Sequence, residues 1–249
     1  TGSCSAALIA AGVKRVVCPL VDPNPAVKGG GCVSLREKGI RVDVGLCEDR
    51  ARRINEGFFC RVLKGRPRIR VKVAMSLDAN SAMKSGESKW ITGVEARQDV
   101  QRLRAESCAI LTGVGTVISD DPSLNVRCGA YSMLGRQPRR IILDTFLRTP
   151  PAAKMLDMQG ETTVFTASED ELLRSNIENR GAKVELMDRK KGVVDFEKVI
   201  CRLTDLETND LLIEAGSMVT RNVLESGLWD QLVVYVAPKI IGRQGLGAL

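Results

Sequence analysis

The 249-residue chain contains no histidine. That removes at once the side chain that most often serves as general acid or base near neutral pH and the commonest zinc ligand. No run of about 18 apolar residues occurs, the length a membrane-spanning helix needs. The opening segment TGSCSAALIAAG has neither the basic stretch nor the cleavage pattern of a secretory leader. A membrane-embedded or secreted protein is therefore not expected, and a cytoplasmic one is. Cysteines stand at Cys4, Cys18, Cys32, Cys47, Cys60, Cys108, Cys128 and Cys201, with no CxxC pair among them. Such spacing suits reduced thiols and not a disulfide framework. Aromatic residues make up only 4% of the chain, whose formal charge is +7. Lys and Arg are scattered singly or in pairs such as Arg139-Arg140 and Lys190-Lys191. Without a basic stripe or interleaved aromatics this charge points to an anionic small-molecule ligand and not to nucleic acid.

What is present is enough apolar residue, 44%, to bury a core of ordinary size in one or two domains. Residues 1–65 read as an α/β segment: a helix from Ser5 to Gly12, a strand from Val13 to Leu20, and a turn at Asp22-Pro23-Asn24-Pro25. A helix from about Glu48 to Lys64 follows, with Ala51, Ile54, Phe58 and Val62 at helical spacing. Gly65-Arg66-Pro67 is the natural boundary, because Pro disfavours helix continuation and the pattern beyond it changes to period two. This gives one domain over 1–65 and a second over 66–249. In the second, Ile69, Val71, Val73 and Met75 alternate along a strand from Ile69 to Leu77. Thr92-Gly93-Val94-Glu95 has capping-box spacing and predicts a helix from Val94 to about Ser107. Further strands are expected near Ala109–Thr112, Arg140–Asp144, Thr162–Thr166, Lys183–Met187, Leu211–Glu214 and Leu232–Ala237. Strands alternating with helices imply an α/β sheet with helices packed on it.

Two groups of residues carry chemistry. Leu211-Leu212-Ile213-Glu214-Ala215-Gly216-Ser217 reads as a buried strand ending in an acid, a glycine turn, and a helix from about Val219. The free N–H groups of such a helix start can cradle a dinucleotide phosphate, although an ordinary strand-to-helix turn capped by Ser217 would read the same way. The second group is Ser85, Glu87, Ser88, Trp90 and Thr92, then Thr116, Ser119, Asp120, Asp121, Ser123 and Arg127. An indole among hydroxyls and charges suits a ring-bearing phosphate ligand. A solvated loop anchored by one Trp is the alternative.

The stretch LDANSAMKSGESKWITGVEARQDVQRLRAESCAILTGVGTVISDDPSLNVR, with DLLIEAGSMVTRNVLESGLWDQLVVYVAPKIIG downstream, resembles the reductase domain of the bacterial bifunctional deaminase/reductases of riboflavin biosynthesis. Upstream, CSAALIAAGVKRVVCPLVDPNP resembles the end of their deaminase domain. The resemblance implies a dihydrofolate-reductase-like domain preceded by the C-terminal part of a cytidine-deaminase-like α/β domain. It implies NADPH as cofactor, a pyrimidine ribosyl phosphate as substrate, reduction of the ribosyl group at C1 through a ring-opened imine, and a homo-oligomeric assembly. Substrate-binding positions fall on Ser88, Arg104, Leu124, Arg127 and Glu214, the last also a candidate for hydrogen bonding to sugar hydroxyls or organising proton delivery. Arg104 and Arg127 suit a phosphate, though a helical Arg such as Arg104 is commonly a solvated ion-pair partner. Cofactor positions fall on Ala74, Trp90, Thr116, Asp120, Thr145, Gly216, Ser217, Met218, Val219, Thr220, Arg221 and Asn222.

The pattern is broken in two places. Where the family has Leu-Asp-Gly and a basic residue, this chain has Leu77-Asp78-Ala79-Asn80, so a positive charge is missing and Ala79 is expected to be strained if the glycine it replaces had positive φ. Cys4 corresponds to a zinc cysteine of the deaminase, in Thr1-Gly2-Ser3-Cys4, and the remaining ligands would have to lie upstream. One ligand cannot hold catalytic zinc, so zinc is expected only if those residues are present and deamination is not expected of this chain. The C-terminus is expected to fall a few dozen residues short of the family's. A reductase is thus the leading reading, and a non-catalytic nucleotide-binding remnant the alternative.

Overall fold

The computed structural model describes residues 3–27, 29–85, 91–131 and 133–249. They form two compact units, Thr1–Arg66 and Pro67–Leu249. In the first, helix α1 (Cys4–Ala10), strand β1 (Arg15–Cys18), helix α2 (Gly30–Glu37) and strand β2 (Arg41–Val44) make a crossover whose two strands pair in parallel. The Asp-Pro-Asn-Pro turn forms because Asp22 Oδ1 and Asn24 Oδ1 accept the backbone N–H groups two residues on, at 2.8 and 3.0 Å. The single helix expected from Glu48 to Lys64 is instead two, α3 (Glu48–Ile54) and α4 (Glu56–Lys64). Asn55 lies between them at φ −113° and ψ 22° and donates its side-chain amide back to Ala51 O, a local bond that competes with continued helix. Ile54, counted as an inward residue from its spacing, is 75% exposed.

The second unit is a three-layer α/β sandwich. Its strands are β3 (Arg68–Ser76), β4 (Asn80–Ala82), β5 (Ala109–Gly113), β6 (Arg139–Leu143), β7 (Thr162–Thr166), β8 (Lys183–Leu186), β9 (Arg189–Lys190), β10 (Val193–Val194), β11 (Asp210–Ile213), β12 (Gln231–Ala237) and β13 (Leu246–Gly247). Its α-helices are α5 (Val94–Ala105), α6 (Val114–Asp120), α7 (Glu171–Glu178), α8 (Phe196–Asp205) and α9 (Ser217–Glu225). Seven strands form one sheet in the order β12-β3-β11-β5-β6-β7-β8, every pairing parallel. Both faces of such a sheet are covered, so its central strands are buried on both sides; every residue of β5 and of β7 is buried. On one face Ile69, Val71, Leu111, Ile141, Leu211 and Ile213 pack against Val199 and Leu203 of α8 and Val223 of α9. On the other, Ile110, Ile142, Val164 and Leu212 meet Leu103 of α5, Val117 of α6 and Ile177 of α7. Each such fully buried aliphatic side chain contributes about 1.5–3 kcal/mol.

The expected strands lie within one or two residues of their expected bounds, and the short strands β2, β4, β9, β10 and β13 were not expected. Helix α5 starts at Val94 as expected, but not through a capping box: Gly93 is the N-cap, and no side chain caps it. Likewise α9 starts at Ser217, two residues early, with Gly216 and not Ser217 as N-cap.

Arg140 on β6 is fully buried and holds the 158–160 turn without a carboxylate. Its Nε donates to Thr162 Oγ1 (2.9 Å), Nη1 to Gln159 O (2.9 Å), and Nη2 to Met158 O (2.9 Å) and Gly160 O (2.6 Å). Arg140→Met should leave those carbonyls without donors, costing about 3 kcal/mol and lowering Tm by roughly 6–12 °C in a thermal melt. Ala79, in the turn from β3 to β4, has φ 59°, the strain expected of an alanine at this position. Ala79→Gly should raise stability by about 1 kcal/mol, read as a Tm increase of roughly 2–4 °C.

Candidate functional site

In the parallel sheet, β11 lies between β3 and β5. The chain leaves β5 into α6, packed on one face, and leaves β11 into α9, packed on the other. Adjacent strands whose helices depart to opposite faces open a crevice at their C-terminal ends, where ligands of open α/β sheets bind. Here the two turns touch across it: the backbone N–H of Gly216 donates to Thr116 Oγ1 at 3.1 Å. A Cβ on Gly113 would come within 2.7 Å of Val219 Cγ2, so α9 seats against β5 only because residue 113 has no side chain. Gly216 has room, since its Cβ would meet only Thr116 Oγ1 at 3.6 Å. The fold thus brings Thr116 together with the 216–222 helix start, as a phosphate cradle requires.

The residue that follows β11 into the crevice, Glu214, is buried and faces α5. Arg104 binds it with a two-pronged fork, Nε to Oε1 at 2.6 Å and Nη2 to Oε2 at 2.9 Å. Arg104 is itself only 8% exposed, and its Nη1 donates to Asn125 O at 3.2 Å. Arg104, expected either to grip a phosphate or to sit in solvent, is thus committed to Glu214. Arg127 keeps an exposed guanidinium, bonded only to Asn125 Oδ1 (3.3 Å) among the described residues, while its backbone N–H is held by Gln101 Oε1 (2.9 Å). Lys72 Nζ lies 3.9 Å from Glu214 Oε2. Burial by itself pushes the Glu214 carboxyl up, but Arg104, with Lys72 and Arg127 behind it, overrides this and leaves it below its ordinary value. Burial likewise opposes the charge of Arg104, and Glu214 reverses that.

The other expected positions are distributed around this centre. Ala74 shares the Lys72 face of β3 and pairs with Tyr235 of β12, whose hydroxyl donates to Asp99 Oδ2 of α5 at 2.6 Å. Burial first, and the Asp99 carboxylate second, push that phenol up. Asp120 ends α6, where it accepts from Ser119 Oγ at 3.0 Å. Leu124 turns its backbone through φ 42° while its side chain joins the core. Thr145 lies past β6, two strands from β11, and its Oγ1 accepts from Val194 N at 3.1 Å. Ser88 and Trp90 fall outside the described residues. Cys4 is exposed at the start of α1, and no cluster of metal-ligating side chains occurs among the described residues. None of the eight cysteines is in a disulfide, and among the described residues no helix is long and apolar enough to cross a membrane.

Lys72, Gln101 and Gly113 belong to the site without having been picked out from sequence. The alternation of β3 puts Lys72 on the Ala74 face, and Gly113 follows a buried strand much as Gly216 does, so both carried a signal; Gln101 carried none. Two open concavities of about 200 and 420 Å³ lie elsewhere, around Arg139 and Thr208 at the opposite ends of the strands and around Tyr131 and Arg136.

Residues 67–247 match the family described as RibD C-terminal domain. The riboflavin biosynthesis protein RibD of Aquifex aeolicus is 40% identical over 243 residues, covering 98% of this chain and 66% of its own length. A structure of Acinetobacter baumannii RibD superposes with a TM-score of 0.89 at 38% identity, over 100% of this chain and 67% of that one. The Thermotoga maritima diaminohydroxyphosphoribosylaminopyrimidine deaminase/5-amino-6-(5-phosphoribosylamino)uracil reductase superposes with a TM-score of 0.82 at 31% identity, over 100% of this chain and 66% of that one. The chain spans about two thirds of the length of each of these relatives. With a match over nearly all of its second unit and this level of identity, the chain belongs to the RibD C-terminal domain family.

Proposed function

We propose that the second unit is an NADPH-dependent reductase that converts 5-amino-6-(5-phosphoribosylamino)uracil to its ribitylamino form. The observation that carries this reading is the meeting of the two strand-to-helix turns beside the buried Glu214–Arg104 pair. It sets an anion cradle and an ionised carboxylate at one strand end, and the reaction named for the T. maritima relative calls for both. The closeness that Gly113 permits and the free N–H groups at the start of α9 fit a dinucleotide pyrophosphate. When bound, the cofactor supplies the hydride.

The chain's residues do the rest. Arg127 offers a planar donor fork to the substrate phosphate. Glu214, ionised at neutral pH, accepts hydrogen bonds from sugar hydroxyls and stabilises the protonated imine that ring opening leaves, whose positive charge is cancelled when the hydride adds to the sugar carbon. Lys72 places an ammonium on the same face. The wall formed by α5 keeps this carboxylate out of bulk water, where its field would be screened. The direct test follows loss of the reduced-nicotinamide absorbance when NADPH and the ribosylamino-pyrimidine phosphate are mixed with the protein. Binding without turnover would favour the non-catalytic reading, to which the missing basic residue at Asn80 lends support.

Gly216→Val should leave Tm nearly unchanged, because the protein itself has room there, yet weaken NADPH binding about tenfold or more by blocking close backbone approach. Glu214→Gln should lower kcat about a hundredfold, with the KM for NADPH little altered. The same variant should lose about 3 kcal/mol of stability at pH 7, since Arg104 is left buried without its partner. Because the folded carboxyl is held below its ordinary value, that stabilisation is present above the unfolded value of about 4.3 and disappears as pH falls through the folded one. Melting curves of the two proteins should therefore differ most above pH 5 and converge in stronger acid.

A further inference from the structure

Around Thr145, at the ends of β6 and β7, lies a cluster whose arginine and aromatic ring the proposed reaction leaves without a role. Arg189 of β9 lies with its Cζ 5.0 Å over the ring of Phe146, and its Nη2 donates to Ala167 O at 3.3 Å. Phe146 follows Thr145 at the end of β6 and is half exposed. Ala167 follows β7 and donates its N–H to Thr145 O at 3.2 Å. The β9–β10 hairpin closes the cluster through Val194, whose N–H reaches Thr145 Oγ1. Of the neighbouring lysines, Lys190 pairs with Glu197 and Lys198 with Asp188, while Lys191 lies in the exposed turn between β9 and β10. Arg189 forms no ion pair among the described residues, so a guanidinium is fixed over a ring at a strand end with donors unused and its charge uncompensated.

We propose that Arg189 is the specificity-determining residue for the 2′-phosphate that distinguishes NADPH from NADH. The proposal rests on the reading of the β11–β5 crevice as a nicotinamide-cofactor site and adds the direction in which the cofactor lies. The reacting ring must reach Glu214, just past β11, and Lys72 and Ala74 of β3. With the pyrophosphate over the starts of α6 and α9, the adenosine half then extends the other way, across the ends of β6 and β7. Neighbouring strands are about 4.8 Å apart, so β7 lies about 10 Å from β5, within the reach of an adenosine from its pyrophosphate. Arg189 stands at that rim. A guanidinium fork matches phosphate oxygens, and stacking on Phe146 restricts its rotamers without neutralising it, so less freedom is lost when an anion binds.

Isothermal titration calorimetry with 2′,5′-ADP and with 5′-AMP separates the 2′-phosphate from the rest of the adenosine half. The wild-type chain should bind 2′,5′-ADP the more tightly. Arg189→Ala, a surface change whose intact fold a thermal melt verifies, should weaken 2′,5′-ADP binding about tenfold or more and leave 5′-AMP within about twofold. Arg189→Lys should fall between, keeping the charge but not the fork. Equal weakening of both nucleotides, or no change for 2′,5′-ADP, would overturn the assignment while wild-type NADPH binding still upheld the cofactor site. A wild-type chain that binds neither nucleotide nor NADPH would remove the cofactor reading and the Arg189 assignment together.

Discussion

The buried Arg104–Glu214 pair is the contact on which the site depends. Removing both ions from water costs several kcal/mol each, and only close, two-pronged geometry with further hydrogen bonds offsets it. At 2.6 and 2.9 Å the fork has that geometry, and the third bond from Arg104 goes to Asn125 O. One side chain of α5 thereby fixes both the end of β11 and the 125–127 segment. Gln101, one turn earlier, reinforces it by holding Arg127 N. Further contacts tie α5 to the flanking strands: Glu106, its C-cap, accepts from buried Arg70 of β3 at 2.8 Å, and Asp99 accepts from Tyr235 of β12. The helix is held to the sheet by polar contacts at least as much as by Val100 and Leu103. A helix positioned this way keeps its register, because a shift of one residue would strand several buried charges at once.

Topology supplies the second constraint. A crossover from β5 to β6 on one face and from β11 to β12 on the other leaves a gap between β5 and β11 that no helix fills. The core sets how close the two helix starts can come, and Gly113 removes the one atom that would hold α9 away. The anion cradle and the acid therefore come from residues two apart just past the end of one strand, Glu214 facing α5 and Gly216 opening α9. The chain turns from strand into helix between them, which sets their different directions.

Much of this was legible in the sequence. Short strands such as Ala109–Thr112 and Thr162–Thr166, rich in aliphatic, aromatic and threonine side chains, are legible because such residues favour a sheet buried on both faces. The Glu214-Ala215-Gly216 turn was found because strand, glycine and helix follow one another along the chain. The environment of Arg104 was not, since its partner lies 110 residues away and periodicity says nothing about contacts at that separation. The same blindness hid Gln101. The break at Asn55 was missed for a local reason: a side-chain bond to Ala51 O ended a helix whose apolar spacing ran on. Helix starts were placed by hydroxyl caps, and glycines took those positions at Gly93 and Gly216, where backbone room matters more than capping.

The Asp78-Ala79-Asn80 turn is held by the carboxylate of its first residue. Ser76 Oγ, and then the N–H groups of Ile241 and Gly242, donate to the Asp78 carboxylate at 2.6, 3.1 and 2.7 Å and hold its pKa far below the ordinary range. That anchoring over-determines the turn, which is why Ala79 can persist in a left-handed conformation. Asn80 then points its amide at Asp78 Oδ2 (3.0 Å) and Gly242 O (3.2 Å), making bonds within the protein where a basic side chain would carry charge outward. Positive charge near the site comes from Lys72 and Arg127, both close enough to Glu214 to lower its pKa. Any electrostatic pull on an anionic substrate therefore centres on the end of β11, beside the carboxylate that Arg104 keeps ionised.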